Sequence, residues 1–243
     1  VLAIGYLLRV KSDYKINIKE LKIDKTIAKE IIRIGLPTAI QNAVISFSNV
    51  LVQSSVNTYG SIAMAGYTAY LKIDGFNILP VLSISMAVTT FTGQNVGAKN
   101  IKRVKQGMYK ALIMCTIYTV CIGIILLSVS HGILSLFTND TEVIEYGQLA
   151  MKYFCPFYFL LGILNTLAGT VRGAGKGVPP MLILLFSMCI FRIFWIKLAL
   201  PFFSTINGIF MLYPISWLVG MVLMIIYTKF GKWLPQENKN ELD

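Results

Sequence analysis

The sequence predicts an all-α membrane protein, and three observations carry that expectation. Apolar residues make up 56% of the 243 residues and charged residues only 14%, with a mean hydropathy of +0.68; soluble domains run nearer about 45–50% and 25%. The apolar residues fall in long runs rather than amphipathic stripes. Six of these runs reach the ~20 residues that a helix needs to cross the hydrocarbon core. Finally, eighteen of the 22 Lys and Arg residues lie on one side of the bilayer when the six runs are threaded through it. The same composition excludes a disordered chain, a collagen and a disulfide scaffold.

Taken in chain order, residues 1–8 are apolar but too short to cross, and Arg9, Lys11 and Lys15 follow them. A signal peptide places its basic residues before the apolar segment. The expectation is therefore the end of a preceding span, with at least one more helix upstream. Residues 9–34 form a basic linker. Within it 17–33 is expected to be an interfacial helix, with Ile18, Leu21, Ile27, Ala28 and Ile31 on one face and Asp24 as N-cap of its last turns. The six spans are 35–58, 64–92, 107–130, 149–171, 178–202 and 206–228, so the six-helix unit is 35–228 and 229–243 is a tail. Gly and Pro inside the runs do not oppose helix, because neighbouring helices satisfy freed backbone groups.

Charge sets the topology. The linker, the segment 93–107 with Lys110, the turn 172–177 and the tail hold the basic residues, whereas Asp140, Glu142 and Glu145 lie between spans three and four. The positive-inside rule places the basic side, and both ends of the chain, in the cytoplasm of a cell (plasma) membrane protein. The net charge of +11 then reports orientation and contact with the lipid bilayer, with no nucleic acid implied.

Several motifs fail on inspection. Arg172-Gly173-Ala174-Gly175-Lys176 lacks the Gly five residues before its Gly-Lys pair (Thr170 is there) and the Ser or Thr after it (Gly177 is there), so it is no phosphate loop. It reads as a tight turn, with Pro179 and Pro180 opening the next helix. His131 has no catalytic grouping around it. Cys115, Cys121, Cys155 and Cys189 lie in apolar runs without metal-ligand spacing. No enzyme, metal site or prosthetic group is expected. Gly93 and Gly97 form a small-xxx-small pair that suits helix packing.

Other residues point to chemistry. If its helix starts near Ile62, Asp74 lies roughly 18 Å along it, near mid-membrane, or in the outer third if the helix begins later; at the centre a carboxylate costs about 2.5–3.5 kcal/mol on insertion scales. It is either a cation or substrate site, or half of an ion pair with a base such as Arg192 that holds helices together. Asn77 shares its face, whereas Lys72 points elsewhere. In span one Gln41, Asn49, Gln53 and Asn57 recur at multiples of four, with Ile45 interrupting; they are packing glue or the lining of a wet cavity. Span four carries Tyr153, Phe154, Phe157, Tyr158 and Phe159, then Asn165. Such aromatic groups pack, belt the interface or, beside a carboxylate, suit a flat organic cation.

Five pieces in order resemble a known family. They are Gly35-Leu36-Pro37, Ile73-Asp74, Gly93-Gln94-Asn95-Val96-Gly97-Ala98-Lys99, Arg172-Gly173-Ala174-Gly175-Lys176 and Tyr213-Pro214-Ile215-Ser216-Trp217. Together the chain resembles the C-terminal half of a multidrug and toxic compound extrusion (MATE) exporter. The resemblance implies a six-transmembrane-helix lobe of a twelve-helix transporter, paired with an N-terminal lobe of the same chain. It implies export of small-molecule organic cations or amphipathic drugs by antiport with H+ or Na+, no cofactor beyond that ion, and alternating access between two lobes. Many relatives carry acidic residues in the spans matching one and four here; this sequence has none, which leaves Asp74 as the deep carboxylate. The competing expectations are a lipid-linked oligosaccharide flippase, which would line its cavity with several Arg or Lys, and a non-transporting membrane scaffold subunit, which would carry a soluble interaction domain.

Overall fold

The computed structural model describes residues 5, 6, 9, 10, 22–203 and 205–234. Most of the expected end of a preceding span, Ile18 and Leu21 of the expected interfacial helix, and the tail after Leu234 lie outside the described residues.

Every element among the described residues is helical. Helix α1 (Lys25–Asn57) starts at Asp24, whose side chain accepts from the N–H groups of Thr26 at 2.7 Å and Ile27 at 3.2 Å, as its N-cap role requires. The helix then runs unbroken through Gly35 and Pro37. The part of the expected interfacial segment from Lys25 onward is therefore continuous with the expected first span. Helix α2 (Ser61–Gly97) turns sharply into α3 (Ile101–Ser128). A short α4 (Ser130–Ser135) precedes α5 (Thr141–Gly173), which contains one tight turn at Cys155–Phe157, where Pro156 has no N–H to offer. Asp140 caps α5, accepting from Glu142 and Val143, so this helix begins eight residues before the expected span. Helices α6 (Val178–Phe202) and α7 (Asn207–Phe230) complete the bundle.

Helices α2, α3, α5, α6 and α7 are long and apolar enough to cross a membrane. The remaining expected span, 35–58, is helical as far as Asn57 but falls short of that apolarity, because amides and serines dilute its run. Phe76, Met86, Ile113, Ile124, Phe194 and Leu198 are all more than half exposed, the arrangement of a multi-pass membrane protein with lipid as outer solvent.

Helix α5 is the central element, packed on α2, α3 and α7. Its crossing with α2 is tight because a Cβ at Gly169 would meet Ser85 and one at Gly173 the Thr89 carbonyl. Ser85 and Thr89 donate hydroxyl hydrogen bonds to the carbonyls of Asn165 (2.8 Å) and Gly169 (2.9 Å), so small residues and polar glue act together. The expected packing pair fares differently: Gly93 makes an ordinary contact and Gly97 faces open space. The turn after α5 forms as expected. Gly175 takes φ +79°, and the N–H groups of Gly175 and Lys176 bond back to the carbonyls of Arg172 and Val171, closing the helix end.

Candidate functional site

The site is built on one face of α2. Tyr67, Tyr70, Asp74 and Asn77 follow each other at spacings of three and four, so they line one stripe of the helix. The turn at Cys155–Phe157 brings Tyr158, the first residue of the next helical segment, against that stripe. Tyr158 Oη donates to Asp74 Oδ1 at 2.8 Å, and the Tyr70 and Tyr158 hydroxyls are 2.9 Å apart. A phenol has one proton. With that of Tyr158 given to the carboxylate, Tyr70 donates to Tyr158, and the chain of bonds points toward Asp74. Tyr70 and Tyr158 are buried, whereas Asp74 is half-buried.

The expected ion pair between Asp74 and Arg192 does not form among the described residues. Arg192 sits on a single α-helical turn between two widened turns of α6, Phe186–Ile190 and Trp195–Ala199. In the first of these turns Met188 O accepts from the Ser48 hydroxyl of α1 at 2.6 Å. Only 2% exposed, Arg192 donates from Nε to Ser216 Oγ (3.2 Å) and from Nη1 to Asn49 Oδ1 (3.0 Å). Its guanidinium lies 4.4 Å from the Tyr213 ring centroid, a cation–π contact. Tyr213 in turn shares a 2.5 Å hydrogen bond with Tyr67, whose ring stacks on Tyr70 at 6.3 Å. An aromatic cluster, with Phe154 between Tyr70 and Tyr213, thus separates the acid from the base.

The other expected residues scatter. Asn77 is buried and held to α3, its carbonyl and Oδ1 accepting from Tyr118 Oη at 3.1 and 3.3 Å. The amides of α1 go to different surroundings. Gln41 is buried, Asn49 serves Arg192, Gln53 is half-buried, and Asn57 lines an open cavity of about 780 Å³ with Lys72 and Asp140. Asn165 bonds its own helix at Leu161 O. The aromatic run of span four divides by helix face: Phe154 and Tyr158 point to the core, while Tyr153 and Phe157 line an all-apolar cleft against Met211 and Pro214 of α7. Tyr67, Tyr70 and Tyr213 were not among the expected site residues. Their spacing from Asp74 signals the first two; Tyr213 opens the segment Tyr213-Pro214-Ile215-Ser216-Trp217, which by itself names no partner for it.

Comparison with known proteins adds an independent line. A family model described as MatE matches residues 37–196. A probable multidrug resistance protein NorM of Thermotoga maritima is 31% identical over 227 residues, covering 88% of this chain and 47% of that protein. The multidrug export protein MepA of Staphylococcus aureus is 27% identical over 176 residues, covering 72% and 38%. The chain thus spans about half the length of the curated relatives it matches. A solved multidrug resistance MATE family transporter of the MOP superfamily, in its outward-facing conformation, superposes with TM-score 0.85 at 20% identity, over 94% of this chain and 52% of that one. A MOP superfamily transporter from Pyrococcus furiosus gives 0.83 at 19%. At such identity the superpositions speak for the fold.

Proposed function

The chain belongs to the MatE family, and from that premise we propose that it forms one lobe of a secondary exporter of cationic or amphipathic compounds, driven by inward antiport of H+ or Na+. The observation that carries this reading is the Tyr70–Tyr158–Asp74 chain. A half-buried carboxylate that meets phenols, and no base among the described residues, has a charge available to a proton, a small cation or a cationic substrate in turn. Exchange among these is what an antiporter requires. On this reading the coupling ion is the only cofactor. The lobe works in the cell membrane with both ends of the chain cytoplasmic, and it pairs with an N-terminal lobe across the transport cavity.

A flippase for pyrophosphate-linked sugars is the weaker reading. Its cations would have to converge, but Lys72 and Lys197 are exposed on different helices and Arg192 is enclosed by neutral partners. The deciding experiment is ion-gradient-driven efflux of a fluorescent organic cation by the full-length protein, normalised to protein in the membrane. Asp74→Asn keeps the size but not the exchangeable charge, so it is expected to reach the membrane and lose coupled efflux, with Asp74→Glu retaining part of it. Wild-type efflux and ion dependence in the Asn variant would make Asp74 a structural residue only.

A further inference from the structure

A groove between α2 and α3 has a chemistry that the transport reading does not use. On α3, Arg103, Gln106 and Lys110 recur at spacings of three and four, and Met114 continues the same face. On the facing side of α2 lie Ile84, Val88 and Phe91. The two faces enclose about 420 Å³. The helices run antiparallel, so Phe91 and Arg103 share the end nearest the α2–α3 turn, while Ile84 and Met114 lie deepest. Gly107 keeps the groove wall thin: a Cβ there would strike the Phe91 ring.

The charge distribution is one-sided. Arg103 lies 5.7 Å from the Phe91 ring centroid. Lys110 follows it seven residues later, roughly 10 Å deeper along the helix. Both side chains are exposed, and among the described residues neither forms an ion pair. Lys110 lies less than one turn inside the expected span 107–130, so its ammonium reaches the headgroup level, where an anionic group is its natural counter-charge. Below Lys110 the lining is apolar. The complementary molecule carries a negative charge at the membrane surface and hydrocarbon beneath it.

We propose that this groove is a binding site for an anionic diacyl phospholipid, distinct from the Asp74 site. The phosphate lies between Arg103 and Lys110, the Gln106 amide donates to a phosphate or glycerol oxygen, and one acyl chain runs along Val88, Ile84 and Met114. Basic clefts between membrane helices attract anionic headgroups by the same electrostatics. The apolar floor adds the hydrocarbon contact that makes a phospholipid, rather than free phosphate, the occupant.

The test uses the full-length transporter, purified in a neutral detergent, with lipid retention read by native mass spectrometry. Dioleoyl phosphatidylglycerol is the probe, dioleoyl phosphatidylcholine the zwitterionic comparator and glycerol 3-phosphate the headgroup without chains. The wild type is expected to retain the glycerol lipid over the choline lipid. The double variant Arg103→Gln/Lys110→Gln, altered only at exposed positions, should weaken retention by roughly tenfold or more. Ala111→Trp, which fills the groove without changing charge, should also weaken it. Binding of a fluorescent organic cation should be unchanged in both variants, and Asp74→Asn should retain lipid as the wild type does, so failure of the transport reading and failure of this one are separable. Equal retention of the two lipids overturns the proposal, as does undiminished retention in the double variant. Displacement of the lipid by glycerol 3-phosphate alone overturns it in favour of a phosphate site. No retention by the wild type means that another segment of the full chain fills the groove, and overturns it as well.

Discussion

Asp74 and Arg192 stand at opposite ends of one aromatic cluster, and the fold treats the two charges in opposite ways. Arg192 is enclosed. Two widened turns of α6 aim it inward, and its donors meet the Asn49 amide oxygen, the Ser216 hydroxyl and the face of Tyr213. Each partner is neutral, and each is held by its own helix. Asp74 is partly exposed, with the phenol of Tyr158 on one oxygen. The contrast teaches that burial alone does not mark a working charge. A buried guanidinium held by hydrogen bonds to neutral groups on two other helices serves the scaffold. On the proposed reading, a carboxylate that meets phenols rather than a base keeps a counter-charge it can exchange. Pairing Asp74 with Arg192 in a salt bridge would have removed that freedom, and the tyrosines between them prevent it.

The largest effect expected from breaking this contrast is at the acid. Asp74→Asn should lower ion-driven efflux by roughly tenfold or more while leaving abundance and thermal unfolding near wild type. Efflux at the wild-type rate would erase the distinction between the two ends.

The next effect falls on the base and has the opposite signature. Arg192→Lys keeps the charge but not the planar fork, so Ser216 and Asn49 cannot both be reached. Hydrogen bonds from charged groups contribute about 1.5–3 kcal/mol. Loss of one should lower the Tm by several degrees in detergent, with the ion dependence of efflux per molecule unchanged. A shifted ion dependence without loss of stability would make Arg192 part of the exchange chemistry.

Smaller and more specific is Tyr158→Phe, which keeps the ring against Trp217, 6.1 Å away, and removes the donor to Asp74. The apparent affinity for the coupling ion should change by about tenfold, the lower end of what one hydrogen bond to a charge contributes. Tyr213→Phe, at the Arg192 end, should leave that affinity unchanged. If the two substitutions act alike, the cluster is a single packing unit.

The smallest effect is at Asp24, an exposed carboxylate with a purely local task. The N–H groups of Ile27 and Thr26 hold its pKa below the usual carboxylate value. Its contribution to capping is therefore complete above the ordinary carboxylate range and is lost as pH falls through the lowered value. Asp24→Ala should speed amide exchange at Thr26, Ile27 and Ala28 near neutral pH, and the difference from wild type should vanish in acid. Asp24→Asn, also a good cap, should exchange slowly at both pH values.

What could be read without the fold was whatever depends on near neighbours in the chain. Apolar runs announce helices because a bilayer leaves the backbone no partner but itself. The Asp24 cap, the Gly175 turn and the proline start of α6 are each completed within a few residues. The shared face of Asp74 and Asn77 follows from helical periodicity, and the same periodicity contains Tyr67 and Tyr70.

The tertiary structure decided the rest. Tyr158 lies 84 residues from Asp74, and Asn49 lies 143 from Arg192, separations at which no local pattern names a partner. Which half of the α5 aromatic run faces inward depends on where the turn at Pro156 leaves the next segment. The amides of α1 look like one stripe in sequence but divide between a buried packing position, an arginine ligand and an open cavity once α6 and α2 are docked. The sequence alone determined that this chain is a helical membrane protein with a carboxylate inside an apolar run; only packing determined that the carboxylate meets tyrosines and not the arginine, because helix docking brings together groups that are far apart in the chain and gives most buried polar groups a partner.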